Sequence, residues 1–431
     1  MKIYIVLSLL VLLCLQLNAQ NDKNKIGDKF YNTDLVHDIH IKFAHCNYWD
    51  SLIHYKEHYK DKLEINKYLQ ANVTIDGKTF YAVGVRIKGE SSYDYTPGNK
   101  KSFKIKFNKF IKKQDLDNLS TINLNNGFKD PSFLREKIFF DILKSEGIPA
   151  PRISFTNLNI NDKNYGLYVV SEHINSRFLE KYFGNKNGSF YKGEPKATFE
   201  YLGNKTDNYQ GKFHAEHKKN KIRKDLVDLI KIINDDSLSE TEFKEEIEQV
   251  LNVENCLRIF AITNIFCNVD AYNMIYPHNF YLYKNTDTDL FEWIPYDANY
   301  AFCAWSPVFE LREAEKMSIF YQHPDNNNPL FQKIISNSYY RDDYISYMQS
   351  LLDKYFTNEY IENMIDDLSL KIRKSVYLDT MKMYSNDEFE KNLNETIGDP
   401  DDPGAFIPGL KSFWIKRRKA VKAEIKKLNR D

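Results

Sequence analysis

Asp270, Asn279 and Asp297 follow one another along a stretch that reads as helix end, hairpin start and hairpin end. A carboxylate after a buried helix can take up a proton from a hydroxyl and orient its oxygen. An amide and a second carboxylate are hard oxygen donors suited to Mg²⁺ or Mn²⁺. Far upstream, Lys104 sits on the polar face of a strand, and Glu136 opens a helix. A lysine fixed by a glutamate grips phosphate oxygens. Phosphoryl transfer asks for those parts: an orienting acid, metal donors and a phosphate-gripping cation. We therefore read Asp270 as the base, Asn279 and Asp297 as metal ligands, and Lys104 with Glu136 as the phosphate clamp. Lys101 and Lys106 share that lysine-rich stretch and remain alternatives to Lys104.

Positioning them requires two kinds of region. Val73–Ile75, a turn at Asp76-Gly77 and Thr79–Lys88 predict a hairpin. A loop over 89–100 follows. Ser102–Phe107 alternates strictly, with Phe103, Ile105 and Phe107 on one face. Thr121–Leu124 reads as a further strand. A helix should start at Asp130, with Pro131 in its first turn, and stop at Gly147. A second hairpin, Arg152–Ile160 and Tyr165–Ser171, closes this region. From Glu172 the pattern is helical, clearest over 225–233, 240–251 and 254–268. One lone hairpin interrupts it at 279–284 and 290–295. Helices resume over 329–353, 358–383 and 409–428, with a loop over 385–409. The chain thus divides into 1–19, an extension 20–70, a strand-rich lobe 71–171 and a helical lobe 172–431. The expected fold class is α+β, two-lobed.

Composition narrows the partners. Sixty basic and sixty acidic side chains leave no net charge, so nothing points to nucleic acid. Thirty tyrosines and 29 phenylalanines supply a large core. Lys2, the apolar run Ile3–Leu15 and Leu17-Asn18-Ala19 before Gln20 predict a cleaved export leader, not a lasting membrane anchor. Localisation is then periplasmic or extracellular. Cys46, Cys256, Cys267 and Cys303 show no disulfide framework and read as buried thiols. The basic runs over 218–224 and 416–427 read as solvated helix faces.

The order of a strand-rich lobe with one helix, then a buried helix, a candidate base, a hairpin and an acid is that of protein kinases. Within it, Arg86-Ile87-Lys88-Gly89-Glu90-Ser91-Ser92, Lys100–Phe107, Leu124–Asp130, Leu134–Lys137, Gly166–Glu172, Tyr191-Lys192-Gly193, His278-Asn279 and Pro295-Tyr296-Asp297 stand in sequence. Over residues 73–302 the chain resembles the spore coat protein H (CotH) kinase family.

The resemblance implies a two-lobed atypical kinase fold. It also implies ATP with Mg²⁺ or Mn²⁺ as the cofactors and transfer to serine or threonine of a protein substrate. It places Arg86, Ser91, Ser92 and Glu172 with Lys104 and Glu136 at the nucleotide, Asp270 at the hydroxyl, and Asn279 and Asp297 at the metal. Three departures stand out. There is no G-x-G-x-x-G loop. Eight residues separate Asp270 from Asn279, where standard kinases have four. Asn299 occupies a position where the family often has a second acid. Two other readings compete: a pseudokinase acting as a binding module, and a transferase or hydrolase, such as a glycosidase, working through two facing carboxylates.

Overall fold

The computed structural model describes residues 25–32, 34–58, 67–216, 221–324 and 327–430. The leader over 1–19, its cleavage after Ala19 and part of the 218–224 run lie outside the described residues. No helix among the described residues is long and apolar enough to cross a membrane. The fold is mixed α+β. Contacts divide the chain into two units. The strand-rich unit takes the chain up to Asn126, then Arg152–Lys186 and Asp379–Met381. The helical unit takes Gly127–Pro151, Asn187–Leu378 and the chain from Lys382 on.

Seven strands of the first unit close into a barrel. They are β1 (Val36–Lys42), β2 (Leu69–Ile75), β3 (Lys78–Lys88), β4 (Ser102–Lys106), β5 (Thr121–Asn125), β6 (Ile153–Ile160) and β7 (Lys163–Glu172). Their order is β1-β2-β3-β4-β5-β7-β6, and β1 closes the ring by pairing parallel with β6. Both expected hairpins form. Asp76-Gly77 and Asn161-Asp162 each take positive φ at both residues, as a two-residue turn between twisted strands requires. Alternation sends Val85, Ile87, Phe103, Ile105, Ile122 and Leu124 to the interior, where all are buried.

β1 lies in what reads as an irregular extension, and its inward row explains why. His37 takes the first inward position and is buried, joined through Nδ1 to Asp76 Oδ2 at 2.6 Å and through Nε2 to the Phe30 carbonyl at 2.8 Å. A buried histidine breaks the apolar pattern that would mark a strand.

The helical unit departs further from expectation. Its hairpin is not alone. β10 (Phe280–Asn285) and β11 (Leu290–Pro295) join β8 (Phe190–Gly193) and β9 (Phe213–Ala215) in a sheet of order β11-β10-β8-β9. Phe280 and Trp293 stack with ring centroids 4.1 Å apart, and Phe260 of the Val253–Ile265 helix meets Trp293 edge-on at 5.3 Å. That helix is buried nearly all round, as its composition predicts. The helix expected from Asp130 begins at Arg135, because the Asp130 carboxylate instead closes a turn, accepting from the Ser132 and Arg135 amides. Its stop at Gly147 holds, with φ of 72°.

The 329–353 helix is two, Pro329–Ser336 and Ser338–Lys354, and the helix from Asn358 ends at Leu378. The loop over 385–409 holds a helix, Asn386–Asn394, and a small ladder of β12 (Ile397–Gly398) with β13 (Phe406–Ile407). Ser385 and Glu388 form a capping box there, a signal present in the sequence. Cys256, Cys267 and Cys303 are buried free thiols, but Cys46 is exposed.

One buried ion pair organises the strand-rich unit. Lys100 is 1 % exposed and Asp379 0 %, and the two are hydrogen-bonded. The ammonium also donates to the Tyr165 and Leu167 carbonyls, each at 3.0 Å, and lies 4.7 Å over the Tyr168 ring. Asp379 in turn accepts from the Leu167 amide at 3.0 Å. Gly166 is pressed so close that a Cβ would collide with the Asp379 carboxyl. Removing either charge strands the other in a dry site. Lys100→Met or Asp379→Asn should each cost about 3–5 kcal/mol, read as a lower urea midpoint at unchanged slope. Equal midpoints in variant and parent would contradict this role.

Glu292 on β11 is the converse case, a buried carboxyl with no cation. Burial pushes it up from an ordinary value of 4.5 to about 7, against the opposing hydrogen bond it accepts from Asn252 at 3.0 Å. A raised carboxyl binds its proton more tightly when folded. Its contribution is therefore complete below about pH 4.5 and is lost as pH rises through about 7. Glu292→Gln should be more stable than the parent at about pH 8, by on the order of 1–3 kcal/mol, with no difference near pH 4. Denaturation at the two pH values checks this.

Candidate functional site

The strand-rich unit carries a lateral polar row on the outer face of its barrel. Strand register sets Arg86 of β3 opposite Lys104 of β4, Lys104 opposite Asn123 of β5, and Asn123 opposite Ser171 of β7. Because strand neighbours alternate, these four point one way while Val85, Ile87, Phe103 and Ile105 point inward. The row is partly buried and does not form a solvated strand face. Lys104 Nζ lies 3.5 Å from Nε2 of His173, just past the end of β7.

That imidazole is held well below its ordinary pKa, first by loss of water and then by Lys104, Arg86, Lys88 and Lys106. Four cations thus bear on one neutral ring. Lys106 is itself pushed down, by burial and then by Lys109 and Arg86. Two buried polar atoms of the row, Arg86 Nε and Asn123 Oδ1, have no hydrogen-bond partner among the described residues. The unpaired donor among them, Arg86 Nε, together with the crowded cations, suits an anion, whereas Asn123 Oδ1 is an acceptor and does not.

The loop after β3 is tied down beside this row. Gly89 takes φ of 90°, and the Ser92 hydroxyl occupies the space a Cβ at Gly89 would fill. Ser91–Asp94 forms one helical turn, with Ser91 exposed and Ser92 half-buried. Lys101 donates to the carbonyls of Tyr93 and Thr96, at 2.8 and 2.6 Å. Its amine therefore holds the loop, which separates it from Lys104 and Lys106. Asn126 adds bonds to Thr96 Oγ1 and the Lys100 carbonyl, at 3.1 and 2.7 Å.

Glu172 ends β7 and is spent within the unit. Arg152 donates to both of its oxygens, at 2.8 and 2.6 Å, and both side chains are buried. The structure therefore places Glu172 in an internal ion pair and not on the row of Lys104.

In the helical unit, Asp270 follows the Val253–Ile265 helix and gathers its neighbours. Its Oδ1 lies 2.6 Å from His278 Nε2, and its Oδ2 accepts from Asn279 Nδ2 at 2.9 Å. Asn279 Nδ2 also reaches the Asp270 carbonyl, at 2.7 Å. Each carboxylate oxygen keeps a further lone pair for a substrate hydroxyl. The β10–β11 ladder pairs Phe280 with Pro295, and the Tyr296 amide donates to the Asn279 carbonyl at 3.1 Å. Asn279 and Asp297 therefore leave the same end of the hairpin.

Both Asn279 and Asp297 are left-handed, with φ of 62° and 58°. Such backbone costs energy in a non-glycine residue and concentrates at functional sites. Burial, then Asp270, then Asp297 raise Tyr300, and burial, Asp297 and Asp270 are among the causes that raise Tyr296. The two carboxylates thus act on the same phenols.

This donor set fits a small hard cation. Asn279 gives its amide nitrogen to Asp270, which turns its oxygen away from that pair. Asp297 supplies a carboxylate. No group of three or more His, Cys, Asp or Glu forms a metal cluster among the described residues. Mg²⁺ sites of this kind draw their remaining ligands from phosphate and water. Asn299 donates to the Phe128 carbonyl at 3.4 Å, so an acid at that position would face a carbonyl oxygen. Glu136 is buried in the first turn of the Arg135–Ser145 helix, which belongs to the helical unit. Lys104 belongs to the strand-rich one.

The family model for the CotH kinase protein matches residues 85–399. The chain belongs to the CotH kinase family. It is also similar to the inner spore coat protein H of Bacillus subtilis (strain 168), 26 % identical over 313 residues, which covers 72 % of this chain and 82 % of that protein.

Within this CotH family member, sequence reasoning missed His173 and set His278 aside as structural. Both adjoin motif residues directly, His173 after Glu172 and His278 before Asn279. The place of His173 was not readable, because Lys104 comes from a distant strand, whereas His278 meets Asp270 only eight residues upstream. The cation ring yields a direct test. By NMR, the His173 imidazole should titrate well below the 6.5 of an ordinary histidine. Lys104→Met should move its titration upward. A normal titration in the parent would dissolve the proposed cation cluster.

Proposed function

We propose that this CotH family protein is an exported atypical kinase that transfers the ATP γ-phosphate to serine or threonine of a protein substrate. The observation that carries the reading is the Asp270 carboxylate, fixed by His278 and Asn279 beside Asp297. Asp270 would accept the proton of the attacking hydroxyl and aim its oxygen. Its two hydrogen bonds hold that carboxylate without using all its lone pairs. Asn279 and Asp297 would hold Mg²⁺ or Mn²⁺, which when bound offsets the negative charge of the phosphates. Lys104, with Arg86 in the same row, would grip the nucleotide phosphates, and Glu136 is proposed as the partner of Lys104. Ser91 and Ser92 would cover phosphate through hydroxyls and backbone N–H groups. Export rests on the leader pattern and fits the name of the Bacillus relative, a spore coat protein.

A second reading, a pseudokinase used as a binding module, draws on one observation. Asn299 is committed to the Phe128 carbonyl where a further metal-binding acid would otherwise stand.

Turnover separates the two. The purified chain, with labelled ATP and Mn²⁺, should label serine-rich proteins. Asp270→Ala should keep nucleotide binding and lose transfer by about 100- to 10,000-fold. Asp297→Ala should lose metal-dependent binding as well. Thermal stability should rise with ATP plus Mn²⁺ in the parent. No shift at millimolar nucleotide, or equal transfer by the parent and Asp270→Ala, removes the kinase reading.

A further inference from the structure

The helical unit carries an open groove of about 880 Å³ that includes no residue of the Asp270 cluster. One wall is the Leu410–Leu428 helix, which presents Lys416, Lys419, Ala420, Ala423 and Lys427 to it. That spacing places them on one face, and the two alanines leave a notch between lysines. The other wall is the short Leu311–Glu315 helix and the residues just after it.

The walls are pinned together. Lys416 pairs with Glu315 at 2.8 Å. Glu424 accepts from Ser318 Oγ at 2.6 Å and from the Ile319 amide at 3.0 Å. The Leu311 amide donates to the Pro400 carbonyl at 3.0 Å. The groove is therefore built by the fold and does not wait for a ligand to form it.

These same bonds decide its charge. Two of its acids, Glu315 and Glu424, are spent on the walls. Arg312, Lys316, Lys419 and Lys427 are exposed and have no acidic partner among the described residues. Asp401 and Glu424 are lining acids without a basic partner among the described residues, so Arg312, Lys316, Lys416, Lys419 and Lys427 still outnumber the three acids Glu315, Asp401 and Glu424. A solvated basic helix, the expectation from sequence, would have neither a facing wall nor an apolar floor.

We propose that this groove docks an extended acidic peptide segment of a protein partner, with carboxylates on the rim cations and small apolar side chains over Ala420 and Ala423. The inference is independent of phosphoryl transfer.

The test uses the full mature chain and a short fluorescein-labelled peptide alternating glutamate with leucine. Anisotropy should show binding that weakens as salt is raised from about 0.05 to 0.5 M. A peptide with lysine in place of glutamate should not bind. Lys419→Glu combined with Lys427→Glu should weaken binding about tenfold or more, since each reversal exchanges an attraction for a repulsion. Ala423→Trp, which fills the notch and keeps every charge, should weaken it as well.

Unchanged thermal melting of the variants shows that their fold is intact, and unchanged nucleotide binding keeps this result separate from the kinase reading. Equal binding of the lysine peptide, or no effect of the charge reversals, overturns the proposal. So does light scattering that shows a dimer abolished by Lys419→Glu, which would make the face a self-interface. Binding to anionic lipid vesicles but not to the peptide would overturn it too.

Discussion

A fully buried lysine has to be neutralised and given hydrogen-bond partners, and much of the strand-rich unit is arranged around that demand. Lys100 takes a carboxylate from Asp379 and two carbonyls from the start of β7. The charge thereby fixes three remote pieces of chain at once: the end of the loop after β3, the turn into β7, and the short Asp379–Met381 segment. Desolvating two ions is expensive, and such a pair is weak evidence of net stability. What it supplies is specification. With the loop held at Lys100, the next residue can hold it again from the other side. Lys101 caps the Tyr93 and Thr96 carbonyls, and Ser102 starts β4 in the register that sets Lys104 against Arg86.

The candidate residues meet opposite electrostatic settings in the two units. In the barrel, burial and then crowded cations keep His173 neutral and push Lys106 down. Around Asp270, burial and then the nearby carboxylates drive the Tyr296 and Tyr300 phenols up. Each arrangement is unfavourable alone. On the proposed kinase reading, a bound polyanion and divalent cation would offset both costs, which is the electrostatic logic of phosphoryl transfer. Backbone strain follows the same distribution, since Asn279 and Asp297 both sit in the left-handed region at the end of one hairpin.

Family membership adds context to this chemistry and leaves particular differences to explain. A glycine-rich phosphate loop is replaced here by a single helical turn after Gly89, with lysine and asparagine side chains holding its far end. Rigidity comes from side-chain anchors instead of repeated glycines. At Asn299 the difference is local as well: its amide satisfies a backbone carbonyl that a carboxylate could not.

Much was legible in the chain alone. Strict alternation gave β4 and its inward face, turn residues gave both barrel hairpins (the second with a turn two residues longer than the one that forms), and apolar residues all round gave the buried helix before Asp270. The order of motifs gave the family. These are local properties, set by period, turn chemistry and propensity. The capping box at Ser385 and Glu388 was equally local and marks a helix that was passed over.

What only the tertiary structure decided depends on residues brought together from far apart. β1 is a strand because His37 finds Asp76 and the Phe30 carbonyl, partners no pattern of period two contains. The three lysines that the sequence could not tell apart divide by environment: Lys101 holds a loop, Lys104 lies beside His173 in a polar row, and Lys106 is pushed down by burial and then by Lys109 and Arg86. Glu172, equivalent on paper to any strand-end acid, is taken by Arg152. Sequence fixes which side chains exist and which face they share with near neighbours, whereas solvation and charge pairing depend on what the fold packs against that face.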